Sequence, residues 1–435
     1  MILPSKELRE NPGRVVVYRA RYNSFEELES EIGNGGRNGF YQATAEFMNM
    51  IFEQGLSRQN RGAPDGMRYV IKPNVVGGKS ADLVNNPAYH GGIVTNPWSV
   101  DAIIQRLWNL GAGDIVVTDG GGGTDFNNFR QNGYVRMMER WEGKGPQLMW
   151  MSKPSFADYS VDEITWADVP NGVVHKTFPF VKPITGKEFL ILNPTLKTHN
   201  LGIHTMCGKG LQGIVATEFK HFCSFNDSWG TGRYSEERLE KYYQPNLRES
   251  IAEAYQSHVQ RGLPFWTSYR DRKTGVSRFE PHSQRTTDVV SAVNKMYEGR
   301  ILNIVEGLVG RDGTAFNQGN DHYVGLLIAG VSIFEVDKVA AWMMGHDSKY
   351  IPWLVVGEDR GLGSSDIHDT EIYLLPDNRK VSPEELRQFV VPLPVILHGQ
   401  SERMGLGDIL FHDDYLTSGR YEKAKKAMEE LWNPQ

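Results

Sequence analysis

Between Asn193 and Cys223 the chain concentrates side chains able to do chemistry. They are His199, His204 and His221, the thiols of Cys207 and Cys223, the amines of Lys197, Lys209 and Lys220, and Glu218. Both cysteines of the chain fall here. Imidazole and thiolate are the ligand types used by nickel, zinc, copper or iron. An imidazole with an ordinary pKa near ~6.5 also suits proton transfer near neutrality. No CxxC pair occurs, so a structural zinc ribbon or finger does not fit. A catalytic transition metal held by His204, Cys207, His221 and Cys223 stays open. So does the plainer reading, in which the cysteines are small buried hydrophobes and each histidine is hydrogen-bonded in place.

Lysines recur just after apolar strands: Lys72, Lys197 and Lys209. Each alone reads as a solvated strand end; converging on one sheet edge they would form an anion pocket. Asn74 follows Lys72 on the same loop, and Gly208-Lys209-Gly210-Leu211-Gln212-Gly213 frees backbone for close approach to a ligand. A desolvated lysine there is also a candidate nucleophile or covalent anchor. Asp119-Gly120-Gly121-Gly122-Gly123-Thr124-Asp125 ends a second strand. Strand carboxyl ends of open parallel sheets gather ligand loops, so Asp119 and the N–H of Gly121 are candidate substrate contacts, against the alternative of a flexible turn. Glu306 and Asp312 flank a glycine-rich segment read as a strand-end loop, suited to metal or hydroxyl binding or merely to capping. Asp337 reads as a helix N-cap.

The elements that must position these residues alternate strand and helix. Tyr69 to Val76 reads as a buried strand closed by Pro73. Pro97 opens a helix whose Val100, Ile103, Ile104 and Leu107 repeat at helical spacing, and Asp114 to Thr118 is the next strand. Strand, helix and strand within about fifty residues imply a parallel unit. Glu188–Asn193 continues the pattern, followed by a helix through Val289, Val290 and Val293, strands at Ile301–Val305 and Val324–Ala329, and a helix from Asp337 to Met344. A charged amphipathic helix is expected at Arg420–Trp432. The expected fold is α/β: two α/β domains with mostly parallel sheets, over 1–228 and 285–435, with a partly helical insertion or lid over 229–284 and the active cleft between the domains.

Composition narrows the function classes. Against 47 basic residues stand 53 acidic ones, a net charge of -6, which does not make a nucleic-acid footprint. No apolar run nears the ~20 residues of a helical membrane span. The first residues lack the pattern of a secretory signal and two cysteines build no disulfide framework, so a cytoplasmic location is expected.

Five segments, in order, resemble the domain-of-unknown-function family 362: Ile71-Lys72-Pro73-Asn74; Gly111-Ala112 leading to Asp119-Gly120; Asn193-Pro194-Thr195-Leu196-Lys197-Thr198-His199; Asn303-Ile304-Val305-Glu306-Gly307; and Asp337-Lys338-Val339-Ala340-Ala341 with Gly345 and Gly361-Leu362-Gly363. The family's Lys-Asn pair stands here as Lys209-Gly210, and the ferredoxin-type cysteine clusters sometimes joined to such domains are absent from the sequence. More distantly the chain is similar to the lactate racemase family, which uses a nickel-pincer nucleotide. His199 and Lys209 have the nine intervening residues of that pattern. That resemblance implies an acid/base role for His199, a cofactor-anchoring role for Lys209 and nickel ligation by His221. The spacing from Gly213 to His221 is shorter than the pattern, and Asp119 with glycines stands where a second histidine belongs. Both departures count against the nickel-pincer nucleotide.

The leading expectation is an isomerase-like enzyme, with or without metal assistance, acting on a small carboxylate-bearing substrate. His199, Lys209, Lys197 and Glu306 are catalytic in it; Lys72, Asn74, Asp119, Gly121 and Asp312 hold the substrate. Two other readings stand beside it. One is a non-catalytic metal or cofactor carrier. The other is a self-assembling protein on an enzyme-like fold, with Trp229, Tyr242, Tyr243, Trp266 and Tyr269 as the interface. A homo-oligomer fits any of these; no nucleic-acid or membrane partner is expected.

Overall fold

The computed structural model describes residues 2–30, 37–52, 66–76, 89–121, 126–220, 241, 243–261, 276–314 and 319–396. His221, Cys223, Trp229, Tyr242, Trp266, Tyr269 and the helix expected at Arg420–Trp432 lie outside them.

The fold is α/β, built on a large, mostly parallel sheet. Its strands are β1 (Arg14–Arg19), β2 (Arg68–Pro73), β3 (Asp114–Asp119), β4 (Gln147–Trp150), β7 (Phe189–Asn193), β8 (Thr195–His199), β9 (Ile203–Thr205), β10 (Ile301–Arg311), β11 (Asp321–Gly330), β12 (Glu371–Leu375) and β13 (Arg379–Val381). The order is β13-β12-β1-β11-β10-β7-β2-β3-β4, with β8 joined to β10 and β9 joined to β8. β5 (Ile164–Asp168) and β6 (Thr177–Val181) form a separate antiparallel pair. The run β10-β7-β2-β3-β4 is parallel throughout. β1 pairs with β11 and β12, so the sheet runs unbroken across the divisions expected at 228 and 285.

Both faces of the sheet are covered, as parallel strands require. Successive residues point to opposite sides. Val70, Leu190, Leu192, Val305 and Ile328 join one core with Val289, Val290 and Val293 of the helix Phe279–Met296 and Val336 and Val339 of the helix Ile333–Met343. Tyr69, Ile71, Ile115, Val117 and Ile191 join the other, with Phe40 and Phe47 of the helix Gly39–Ile51 and Val100, Ile103, Ile104 and Leu107 of the helix Pro97–Asn109. Each such aliphatic or aromatic side chain contributes about 1.5–3 kcal/mol on burial. The Pro97–Asn109 helix starts where its sequence says: Pro97 occupies the first turn and the Asn96 side chain accepts from Trp98 N at 2.9 Å.

Three expected boundaries move. β10 does not end at Val305 but runs to Arg311 through a bulge between Gly307 and Val309, so Glu306 lies within a strand, not on a strand-end loop. The helix expected near Thr286 begins at Phe279, inside the segment assigned to the insertion. Asp337 is not an N-cap of its own helix, which starts at Ile333 with Ser332 accepting from Glu335 N.

His346 follows that helix, fully buried, and its Nε2 donates to Leu393 O at 3.0 Å. Burial depresses its pKa from 6.5 to about 4. The folded state therefore holds it neutral while the unfolded chain protonates it. The stabilisation is complete above pH 6.5 and is lost as pH falls toward 4, about 3 kcal/mol in all. His346→Gln keeps the donor and removes the titration. Urea unfolding at intervals from pH 7 to 4 is expected to show a shallower stability loss in the variant than in the wild type. Parallel curves would remove His346 from the acid sensitivity.

Candidate functional site

The chemistry-bearing residues meet at the carboxyl ends of β2, β3, β7 and β8. Pro194 breaks the apolar run Phe189–Asn193, and the chain restarts as β8, whose Lys197 pairs in register with Arg311 of β10. Lys197 and His199 are two residues apart on this strand and so share a face. All five β8 residues are buried.

The anchor of the site is an ion pair. Lys72 Nζ lies 2.9 Å from Asp119 Oδ1, with both side chains almost fully buried, and also donates to Pro73 O at 2.8 Å. Asp119 is saturated: Oδ1 further accepts from Gly120 N at 2.8 Å and Gly121 N at 3.1 Å, and Oδ2 from Val75 N at 2.6 Å. The N–H groups of Gly120 and Gly121 thus hold the carboxylate of Asp119. Gly213 packs against the pair so closely that a Cβ there would sit 2.5 Å from Asp119 Oδ1 and 3.1 Å from Lys72 Nζ. Any side chain at 213 forces the ion pair apart. Asn74 is buried beside it, its backbone N donating to Thr95 Oγ1 at 2.9 Å, while its side-chain Nδ2 has no partner among the described residues.

Around this pair the positive charges outnumber the negative. Lys197 is 1% exposed and donates to Ile93 O at 2.6 Å. Burial holds its pKa well below the ordinary lysine range, and the like charges of Lys209, Arg311 and Lys72 push the same way, opposed by Asp119. Lys220 Nζ donates to Gly120 O and Ser152 Oγ; burial brings its pKa down to about 8. Arg311 is neutralised by Asp321 at 2.6 Å. Lys209 is half-buried on the short helix Cys207–Gly210, within electrostatic reach of Lys197 and His199.

His199 is held in one tautomer. Its Nδ1 accepts from Leu201 N and Gly202 N, each at 3.1 Å. Amide nitrogens only donate, so Nδ1 carries no proton and the neutral ring carries it on Nε2. Burial, then Lys209, His282 and Lys197, hold its pKa well below 6.5. A turn fixes this arrangement, and in it Ile203 has φ +64°. A β-branched residue in the left-handed region costs on the order of 1–3 kcal/mol, which the surrounding burial of the turn offsets.

The family model of a domain of unknown function, DUF362, matches residues 70–342, from β2 into the helix Ile333–Met343. The chain belongs to the DUF362 family. No curated protein matches this DUF362 chain. Among solved structures it is similar to a crystal structure of a Thermotoga maritima protein from a structural genomics consortium, at 9% identity and a TM-score of 0.35. The match covers 74% of this chain and spans 58% of the length of that one, and at that distance it bears on neither the fold nor the chemistry.

The matched region of this DUF362 protein contains every expected site residue, and the described ones divide into groups. Lys72, Asn74, Asp119, Gly121, Lys197, His199 and Lys209 gather as set out above. Glu306, buried on β10, accepts from Asn96 N at 3.3 Å and Leu308 N at 3.0 Å; burial raises its pKa to about 7. Both its oxygens are engaged in tying the turn before Pro97 to the β10 bulge. Asp312 accepts from Asn320 N at 2.6 Å and His322 Nε2 at 3.0 Å, at the end of β10 beyond Arg311.

The expected metal ligands fare differently. Cys207 N and Gly208 N donate to Asp337 Oδ1 and Oδ2 at 2.8 and 2.9 Å, so Asp337 caps a helix, but the one opposite its own. Burial, then Asp337, push the Cys207 thiol well above its ordinary pKa. His204 is fully buried, with neither nitrogen partnered among the described residues. Among the described residues no three His, Cys, Asp or Glu side chains converge to hold a metal ion. Lys220 stands among the chemistry-bearing side chains of the sequence without a role, and Arg311 and His282 do not stand there at all. Lys220 followed no apolar strand, Arg311 was assigned to a loop, and His282 to the insertion.

Proposed function

We propose that this DUF362 protein is an enzyme that binds a small carboxylate at the buried cation cluster and moves a proton at the carbon beside it, an isomerase-like reaction. The observation that carries the reading is Lys197, a buried amine whose pKa is depressed by burial and by the like charges of Lys209, Arg311 and Lys72. Such a site favours an anion, because a negative charge relieves the repulsion.

The roles follow from the contacts. Lys72, pinned by Asp119, supplies a fixed positive charge, and half-buried Lys209 a second one nearer to solvent. Lys197, its pKa held well below the ordinary lysine range by burial and by its cationic neighbours, gives up a proton more readily than an ordinary lysine and is the best-placed base. Arrival of a carboxylate raises its affinity for a proton. It takes the proton from the substrate C–H; the electron pair left behind delocalises into the carboxylate as an enediolate. Return of that proton to the other face or to a neighbouring carbon gives the product, with no net change in electrons. His199, with Nδ1 occupied by two backbone N–H groups, cannot act as a base without losing both. Its Nε2–H instead donates to the developing negative oxygen, the role of a neutral imidazole held at low pKa. Chemistry of this kind needs no nickel-pincer nucleotide.

The test is solvent exchange. A panel of small carboxylates incubated with the protein in deuterated buffer is expected to lose the proton signal at the carbon beside the carboxylate for at least one member, by NMR. A panel that stays fully protonated would remove the proton-transfer assignment.

A further inference from the structure

His282 was not among the expected site residues, yet it stands against His199. The two rings lie face to face, with centroids 6.1 Å apart and planes 19° from parallel. Gly202 sits between them. Its N–H donates to His199 Nδ1, and a Cβ on it would lie 3.0 Å from His282 Cε1 and 3.7 Å from Nε2. The turn therefore brings the two imidazoles together at the cost of the strained Ile203 backbone. His282 is 1% exposed and neither ring nitrogen has a partner among the described residues. Buried polar atoms are partnered in the great majority of cases, so a ring with both nitrogens idle, beside the cation cluster, is a contact waiting for its other half. Lys209 is within electrostatic reach of it, as it is of His199.

We infer that His282 is a further substrate-binding residue, and that it takes a hydroxyl group carried by the same small anion. This rests on the reading of the cation cluster as the carboxylate site. A neutral imidazole offers one N–H donor and one acceptor. A hydroxyl both donates and accepts, and satisfies either nitrogen. A second carboxylate leaves the acceptor nitrogen facing like partial charge, and an alkyl group leaves both nitrogens unmade. The substrate class is thus a small hydroxylated carboxylate, its charge held by the lysines and its hydroxyl by His282.

Acetate and glycolate differ by one hydroxyl and serve as probes. Calorimetric titration of the full chain at pH 7 is expected to show glycolate bound about tenfold more tightly than acetate, the scale of one buried hydrogen bond made or lost. His282→Phe is expected to bring that ratio near one. His282→Gln, which keeps a donor and an acceptor, is expected to retain part of it, and serves if the phenylalanine variant does not fold. Acetate binding that depends on Lys197 but a glycolate preference that is absent, or unchanged in both His282 variants, overturns this inference alone. Failure of the wild type to bind either anion, or acetate binding indifferent to Lys197→Met, overturns the carboxylate site itself and this inference with it.

Discussion

Replacing Lys197 with methionine is expected to abolish proton exchange and weaken acetate binding while leaving the protein folded. A positioned general base contributes on the order of 10²–10⁴-fold in rate, so exchange should fall below detection. The fold should tolerate the change. Methionine fills a similar volume, and the amine it removes is fully buried close to other cations, donating to Ile93 O. Taking an unfavourably buried amine out of the interior offsets the lost hydrogen bond. Lys197→Arg separates the two roles. A guanidinium keeps its proton at any pH the protein survives, so it can attract the anion but cannot take a proton from carbon. Acetate binding retained with exchange lost is the expected pattern; exchange surviving in either variant would move the base elsewhere.

The second large effect concerns stability. Asp119→Ala is expected to destabilise the protein by about 3–5 kcal/mol, the usual cost of stranding one member of a buried ion pair. Lys72 would remain with its charge uncompensated, and Val75, Gly120 and Gly121 would lose their acceptor. Adding Lys72→Met should recover part of the loss, because it removes the stranded charge. Urea unfolding of the two single variants and the double variant measures this. Additive losses would mean that the pair is not coupled and that Asp119 acts only through its backbone contacts.

The parallel core was legible because its elements agree with their local sequence. Pro97 and the spacing of Val100, Ile103, Ile104 and Leu107 mark one helix, and Tyr69–Ile71 and Asp114–Thr118 mark the strands beside it. What escaped was set by pairing between distant segments. Thr195–His199 follows a proline and carries a lysine and a histidine, so it reads as a loop; it becomes a strand by pairing with β10 around a register shift. Gly307 and Gly310 make Glu306–Arg311 look like a turn, yet they lie inside the sheet, where a Cβ on Gly307 would sit 3.1 Å from Leu326 O and 3.2 Å from Leu196 Cδ2. The first half of the helix Phe279–Met296 hides for the opposite reason. Glu280, His282, Ser283, Gln284, Arg285, Thr286, Thr287 and Asp288 are all buried, so there is no apolar stripe to read, and polar composition suggests a solvated insertion.

Of the candidate site, the lysines and His199 could be picked out by type and by position after apolar runs. The tautomer of His199 could not, since it depends on the turn that presents Leu201 N and Gly202 N. Nor could the compensation of charge: Asp119 spends itself on Lys72 and three backbone N–H groups, and only the folded arrangement leaves Lys197 with mostly cations for neighbours.

The measurement closest to the central claim is a calorimetric titration of the purified protein with acetate at pH 7, run beside Lys197→Met. Saturable binding of one anion per chain, weakened or lost in the variant, is the predicted result. No binding, or binding that is the same with and without the amine at 197, would contradict it.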